Sequence, residues 1–382
     1  MTIHDDQRLE SLRSEIIGIT AWKVELPLNE GTFTWSGGVL HSFDSTVVRI
    51  ETSDGVTGWG EVSPLGSAYL PAYAEGARTG IAHLAPYLLS VPATDLKTVN
   101  QRMDQVLRGH PYAKSAIDMA CWDILGRVAG VPVSTLMGGL SGESIPLYRA
   151  ISSDAPGAMA ESASRYQAEG YRRFQLKIGG SPEEDVARVE EVVDLLNPGS
   201  TLIADANRGW LPHEAMRVVR ALEQLDVYLE QPCETYEECL SVRRRTNLPF
   251  VLDESIDGLS ALLRGHVDDA MDMINIKISK LGGLSKALLV RDVCESLGIA
   301  MILEDSCGGD VATAAVAHLA HSTREHLRFA STDLNGYVSR TIGTGAPVRQ
   351  GGKMIASSGP GLGVTVAVEE LGEPVVEVRD AS

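Results

Sequence analysis

Seven charged residues stand at the ends of short apolar runs, and their order along the chain is the first sign of chemistry. "RRFQLK" ends in Lys177, "TLIAD" in Asp205, "VYLE" in Glu230, "FVLD" in Asp253, "MINIK" in Lys277 and "AMILED" in Glu304 and Asp305. A lone acid in such a place is most often a solvated loop carboxylate or a helix cap, and most lysines lie on the surface. Three acids in register on successive runs are different. Carboxylates held that close repel unless a cation sits among them, and an all-oxygen set with open positions suits Mg²⁺ better than zinc. Asp205, Glu230 and Asp253 are therefore candidate metal ligands, with Asn207 and Glu254 as outer partners. For Asn207 a helix-start role is an equal alternative.

Lys177 and Lys277 would face one another across such a site. A small molecule held by the ion would present one face to each amine. A proton next to a carboxylate is very weakly acidic, and a cation can stabilise the dianion left by its removal. A lysine acts as base only when neutral, so desolvation and the nearby cation are expected to lower its pKa. Two amines permit two outcomes: return of the proton on the opposite face inverts the centre, and loss of a group from the adjacent carbon gives an alkene or its tautomer.

Elements must bring these ends together. Eight apolar runs follow residue 140, at 146–150, 172–177, 201–205, 227–230, 250–253, 273–277, 300–305 and 327–331, separated by helical segments of similar length. That pattern predicts a TIM-type (β/α)7β barrel of the α/β class, in which all strands end at one face. Before it, residues 15–28 and "STVVRIETSDGVTGWGEV" read as a strand meander with a turn at Asp54-Gly55. "AKSAIDMACWDILGRVAG" reads as a helix stopped by Gly130. We expect an α+β capping domain over 1–140, the barrel over 141–335, and a segment 336–382 that packs back on the cap.

Composition limits the partners. Of 382 residues 44% are hydrophobic, and 51 acidic against 33 basic residues give a net charge of −18. Nucleic acid and anionic membranes are thereby disfavoured, and a small-molecule carboxylate is the expected partner. The five cysteines lack Cys-x-x-Cys spacing and are expected to be reduced. "MTIHDDQRLESLRSEI" has no apolar core of a leader, so a cytoplasmic location is expected.

With these residues in view, the chain resembles the enolase superfamily, in its mandelate racemase and muconate lactonizing enzyme branch. "GWGE" at 58–61, "YAKSAIDMACWDILGR" at 112–127, the strand-end set and "PGLGV" at 360–364 carry the resemblance. It implies Asp205, Glu230 and Asp253 as Mg²⁺ ligands and Lys177 and Lys277 as the acid/base pair, since a Lys or His base with bound Mg²⁺ is a known pattern of that superfamily. Lysine-based members usually carry Lys-x-Lys on the second strand; here Gln175 replaces the first lysine. "GHPYAKSAIDMACWD", "LEQPCET" and "GGDVATAAVAHLA" resemble hydroxyproline betaine epimerases and cis-3-hydroxyproline dehydratases. The expected activity is an isomerase or lyase acting at the proton next to a carboxylate, with epimerisation placed ahead of dehydration. Dipeptide epimerisation and muconate-type cycloisomerisation are further alternatives. Relatives assemble from identical chains, which implies a homo-oligomer.

For substrate contacts, Glu304 or Asp305 would meet an ammonium group, or else cap the following helix. Phe33 and Trp35 in "LNEGTFTWSGG", with Tyr69, would cover the mouth. Cys307 is expected to be an inert thiol. A non-catalytic binding barrel would show degraded ligands or lack the second lysine, and neither is seen. A metal-dependent hydrolase or aldolase would place histidines at strand ends, and none of the nine does.

Overall fold

The computed structural model describes residues 14–380; the reading of the first sixteen residues lies almost wholly outside that range. A four-stranded antiparallel sheet opens the chain, built from Ile16–Pro27, Ser42–Thr52 and Thr57–Val62, and completed at its edge by Pro374–Arg379. The tail strand thus pairs with the first strand. Gly55 takes a φ of +81° in the turn between the second and third strands, where only a residue without Cβ is at ease. Helix Pro111–Ala129 lies on this sheet and ends at Gly130, φ +69°. Gly58 and Gly60 explain the "GWGE" signature: a Cβ on either would overlap the backbone carbonyls of Ala120 and Ala116 on that helix.

The eight predicted runs are the eight strands of a parallel barrel: Tyr148–Ile151, Arg173–Lys177, Thr201–Asp205, Val227–Glu230, Phe250–Leu252, Met273–Lys277, Ala300–Glu304 and Arg328–Ser331, bonded in sequence order. A parallel bridge between Leu147 and Ser331 joins the last to the first. Inward positions fill the middle with Tyr148, Ile203, Val251, Met273, Ile302 and Ala330, a packed core with no pore. Helices follow each of the first seven strands, from Pro156–Ala168 to Asp310–His321. Prolines in the first turn start three of them, and Thr235 with Glu238 forms a capping box on another.

Register decides the site. Lys177 pairs with Asp205, Asp205 with Glu230, and Lys277 with Glu304. The charged ends therefore stand side by side at one rim, with Asp253 and Asp305 one residue beyond their strands.

Candidate active site

A small cavity sits at this rim beneath the cap. Its floor carries Gln175, Lys177, Lys277 and Glu304, and its walls include Phe33, Tyr69, Tyr148 and Tyr337. Both lysines line this one space. Asp205, Glu230 and Asp253 lie directly behind it and have no exposed surface.

Each acid is engaged by a donor. Lys177 Nζ donates to Asp205 Oδ2 at 2.5 Å. Gln175 Nε2 and Asn275 Nδ2 donate to Glu230 at 2.9 and 2.7 Å, so Gln175 supplies a neutral hydrogen bond to that acid. Asp253 receives Lys277, the Tyr69 hydroxyl at 2.7 Å and Lys280 at 2.8 Å. Lys280 was not anticipated, because it sits on the short helix Ile278–Leu281 beyond the strand, where the strand-end pattern gives no signal.

Without a cation the carboxylates govern both lysines. Burial alone would depress both lysines, but Asp205 and Glu230 raise Lys177, and Asp253, Glu304 and Glu254 hold Lys277 well above the ordinary lysine value. The carboxylates thus outweigh desolvation when no cation competes for them. Burial and then Asp205 and Asp253 push Glu230 well above the usual carboxylate range. Burial, Asp253 and Asp205 push Glu254 up to about 8.

Among the described residues, no three His, Cys, Asp or Glu side chains converge as placed to hold a metal ion. The donor set nonetheless fits a hard divalent cation. Three acids occupy adjacent strand ends, and Asn207 Oδ1 and Glu254 Oε2 are buried acceptors with no hydrogen-bond partner. Asn207 joins this group through its amide: its N–H donates to Asp205 Oδ1 at 2.9 Å and its Nδ2 to Glu254 at 3.2 Å. The next helix begins only at Pro212, so Asn207 does not start it.

Glu304 and Asp305 part company. Glu304 faces the cavity, accepting from the Tyr148 hydroxyl and from Asn275 at 2.9 Å. Asp305 also borders it, but accepts from the Ser279 and Ser306 amides at 3.0 and 2.7 Å and from the Ser279 hydroxyl, tying its loop to the short helix Ile278–Leu281. Neither caps the following helix, whose N-cap is Gly309. Phe33 lines the cavity; Trp35 does not, and packs in the hydrophobic core at 7% exposure. A three-residue strand alternates its side chains, so neighbours two apart share a face only until the hairpin twists away. The Cys307 thiol lines the cavity too, but burial pushes it far up, which leaves it inert. All five cysteines are free and buried.

Tyr148 and Tyr337 are cavity residues that strand-end charges do not reveal. Parity gives a signal for the first: Tyr148 is the inward residue two before Ala150 on its strand. Tyr337 lies in the loop after the last strand, where no periodicity applies.

A parallel barrel with two opposed lysines at its C-terminal rim, roofed by an α+β cap, has the architecture of a small-molecule enzyme. The chain belongs to the enolase superfamily, in its mandelate racemase and muconate lactonizing enzyme branch. Residues 18–138 match the family described as mandelate racemase / muconate lactonizing enzyme, N-terminal domain, and residues 158–371 match enolase C-terminal domain-like. It is an isomerase or lyase of that superfamily. The chain is 53% identical over 362 residues to the cis-3-hydroxy-L-proline dehydratase of Roseibium aggregatum, covering 94% of this chain and 99% of that one. It is 28% identical over 366 residues to the N-succinyl-L-Arg/Lys racemase of Bacillus cereus, covering 95% and 98%. A magnesium complex of an enolase superfamily member from Roseovarius nubinhibens superimposes with a TM-score of 0.90 at 40% identity, covering 96% and 100%. No helix among the described residues is long and apolar enough to cross a membrane.

Proposed function

We propose that the protein removes the proton next to the carboxylate of a cyclic amino acid of the cis-3-hydroxyproline type and expels the 3-hydroxyl as water. The observation that carries this reading is that two amines, Lys177 and Lys277, enter one cavity from strands on opposite sides of the barrel. Similarity to a dehydratase at 53% identity over nearly the whole of both chains moves dehydration ahead of the epimerisation that the sequence favoured.

Stereochemistry fits two opposed amines. In a cis-3-hydroxyproline the hydroxyl shares a ring face with the carboxylate, so the α-hydrogen lies on the other face. Proton and hydroxyl leave from opposite sides. One lysine, neutral, takes the α-proton; the other, as ammonium, gives its proton to the departing hydroxyl, so that water leaves and a cyclic enamine remains. The enamine then rearranges to its imine tautomer. Glu304, facing the cavity, would hold the ring ammonium. Asp205, Glu230 and Asp253 would hold a divalent cation, Mg²⁺ by the chemistry of the set, which when bound supplies charge stabilisation at the substrate carboxylate. Gln175 keeps Glu230 oriented.

A second reading rests on the same pair of amines: if the opposing lysine returns a proton to the α-carbon before the hydroxyl leaves, the product is the 2-epimer. Incubation with Mg²⁺ and cis-3-hydroxy-L-proline in D₂O separates the two. A product lighter by one water supports dehydration; deuterium at C2 with the hydroxyl retained supports epimerisation. Neither change, across a panel of proline-derived carboxylates, would exclude the substrate class.

A further inference from the structure

A second charge near the cavity is unaccounted for by acid/base chemistry. Arg149, on the first barrel strand, is 2% exposed. Among the described residues it makes no ion pair. No carboxylate lies within ion-pair distance, although the buried Asp333 attracts it through space, so the contacts that hold a guanidinium taken from water at a cost of several kcal/mol say why it is there.

The guanidinium carbon lies 3.6 Å from the ring centroid of Tyr337 and 4.5 Å from that of Tyr166. Two aromatic faces thus hold the guanidinium, with the buried Asp333 carboxylate as its more distant counter-charge. Nη2 donates to the Tyr166 hydroxyl at 3.0 Å and Nη1 to the Gly336 carbonyl at 3.3 Å. Tyr337 presents its ring to the cavity and accepts the Ala150 amide on its hydroxyl at 2.8 Å.

The capping loop is tied to the same cluster on both sides. The Asn29 amide donates to the Tyr337 carbonyl at 2.9 Å, and its side chain to the Gly336 carbonyl at 3.2 Å. The next residue, Glu30, accepts from the Tyr166 hydroxyl and from Arg165. Four residues beyond Asn29 comes Phe33, a wall of the cavity.

We infer that Arg149 is a positioning residue: it fixes Tyr337 as a wall of the cavity and, through Tyr166 and Glu30, fastens the capping loop to that wall. The size of ring the cavity accepts is set at this junction. The inference rests on the reading that the cavity takes a cyclic amino-acid carboxylate.

The test compares Tyr337→Ala, Tyr166→Phe, Arg149→Lys and Arg149→Met with the parent, loaded with Mg²⁺. Two readouts are used: steady-state kinetics on cis-3-hydroxy-L-proline and its six-membered homologue cis-3-hydroxypipecolate, and amide hydrogen exchange over residues 29–40. Tyr337→Ala is expected to raise KM about 10-fold while kcat stays within about 3-fold, and to shift preference toward the larger ring. Tyr166→Phe keeps the ring but loses both hydrogen bonds, and is expected to speed exchange in 29–40 and leave the barrel strands unchanged. Arg149→Lys keeps the charge without the planar stack, so it should resemble Arg149→Met in both readouts. Parent-like exchange and kinetics in Arg149→Lys would overturn the inference, as would an unchanged KM and ring preference in Tyr337→Ala. Should Arg149→Met fail to fold, Tyr166→Phe decides alone. If the parent turns over neither ring, the substrate reading fails, and exchange in 29–40 still decides whether Arg149 fastens the loop.

Discussion

Lys177 and Asp205 are register partners on adjacent barrel strands, and their side chains meet at 2.5 Å where the strands end. Candidate acid/base group and candidate metal ligand thus touch, and Lys277 likewise touches Asp253. Each amine is held at a fixed place on the rim.

If those two places are the two sides of the reaction, the variants should fail differently. Lys177→Ala and Lys277→Ala are each expected to lower turnover by about 10²- to 10⁴-fold, the usual worth of a positioned proton-transfer group. One of them should still exchange the α-proton of the bound substrate with D₂O, because its remaining amine is the base. Mass spectrometry of recovered substrate reads this directly. Full turnover in either variant would remove the two-amine reading.

Buried carboxylates that repel one another stabilise the fold only when a cation offsets them. Adding Mg²⁺ to chelator-treated protein is therefore expected to raise the melting temperature, by the equivalent of about 2.7 kcal/mol at a hundred times Kd. Asp205→Asn and Asp253→Asn should lose most of that response. Differential scanning fluorimetry across a Mg²⁺ series checks it, and an identical response in both variants would place the ion elsewhere.

The strand ends were legible in the sequence because a barrel strand buried on both faces reads as an apolar run, and a charge can close it only at the rim. That made the eight strands, Lys177, Lys277 and the three acids readable. Side-chain direction outside strands was not. Phe33 and Trp35 look alike on paper, yet one meets the cavity and the other packs in the core. Lys280 and Tyr337 reach the site from turns, whose course depends on tertiary packing. The ion pairs are hidden for a related reason: the sequence places charges in order along a rim, but the contact between Lys277 and Asp253 exists only in the packed side chains.

Cap and barrel are joined through Glu61, which ends the "GWGE" signature. Its buried carboxylate accepts from the Gly309 and Ala312 amides, at 2.7 and 2.9 Å, and from the Ser45 hydroxyl at 2.7 Å. A cap residue thus satisfies the first turn of the helix Asp310–His321, in the loop that follows Glu304 and Asp305. Glu61→Gln turns one acceptor into a donor facing amides, and is expected to cost about 1 to 3 kcal/mol. Urea unfolding measures the loss. Activity should fall with it, and a variant as stable as the parent would show that this junction carries little.

His318 gives the fold a pH dependence of its own. It is fully buried on the same helix; its Nδ1 accepts the Ser134 amide at 3.2 Å, which leaves Nε2–H to donate to the Leu362 carbonyl at 3.1 Å. Protonation would need the lone pair that Ser134 uses, and burial lowers the group to about 4, against 6.5 for a free histidine. The unfolded chain therefore binds the proton first: the contribution is complete above about pH 6.5 and is lost progressively as pH falls toward 4, by roughly 3 kcal/mol in all. Urea midpoints at pH 7 and pH 5 for the parent and for His318→Gln isolate this group from the carboxylates. The parent is expected to lose more stability between the two than the variant does, and equal losses would show that His318 is not the proton acceptor.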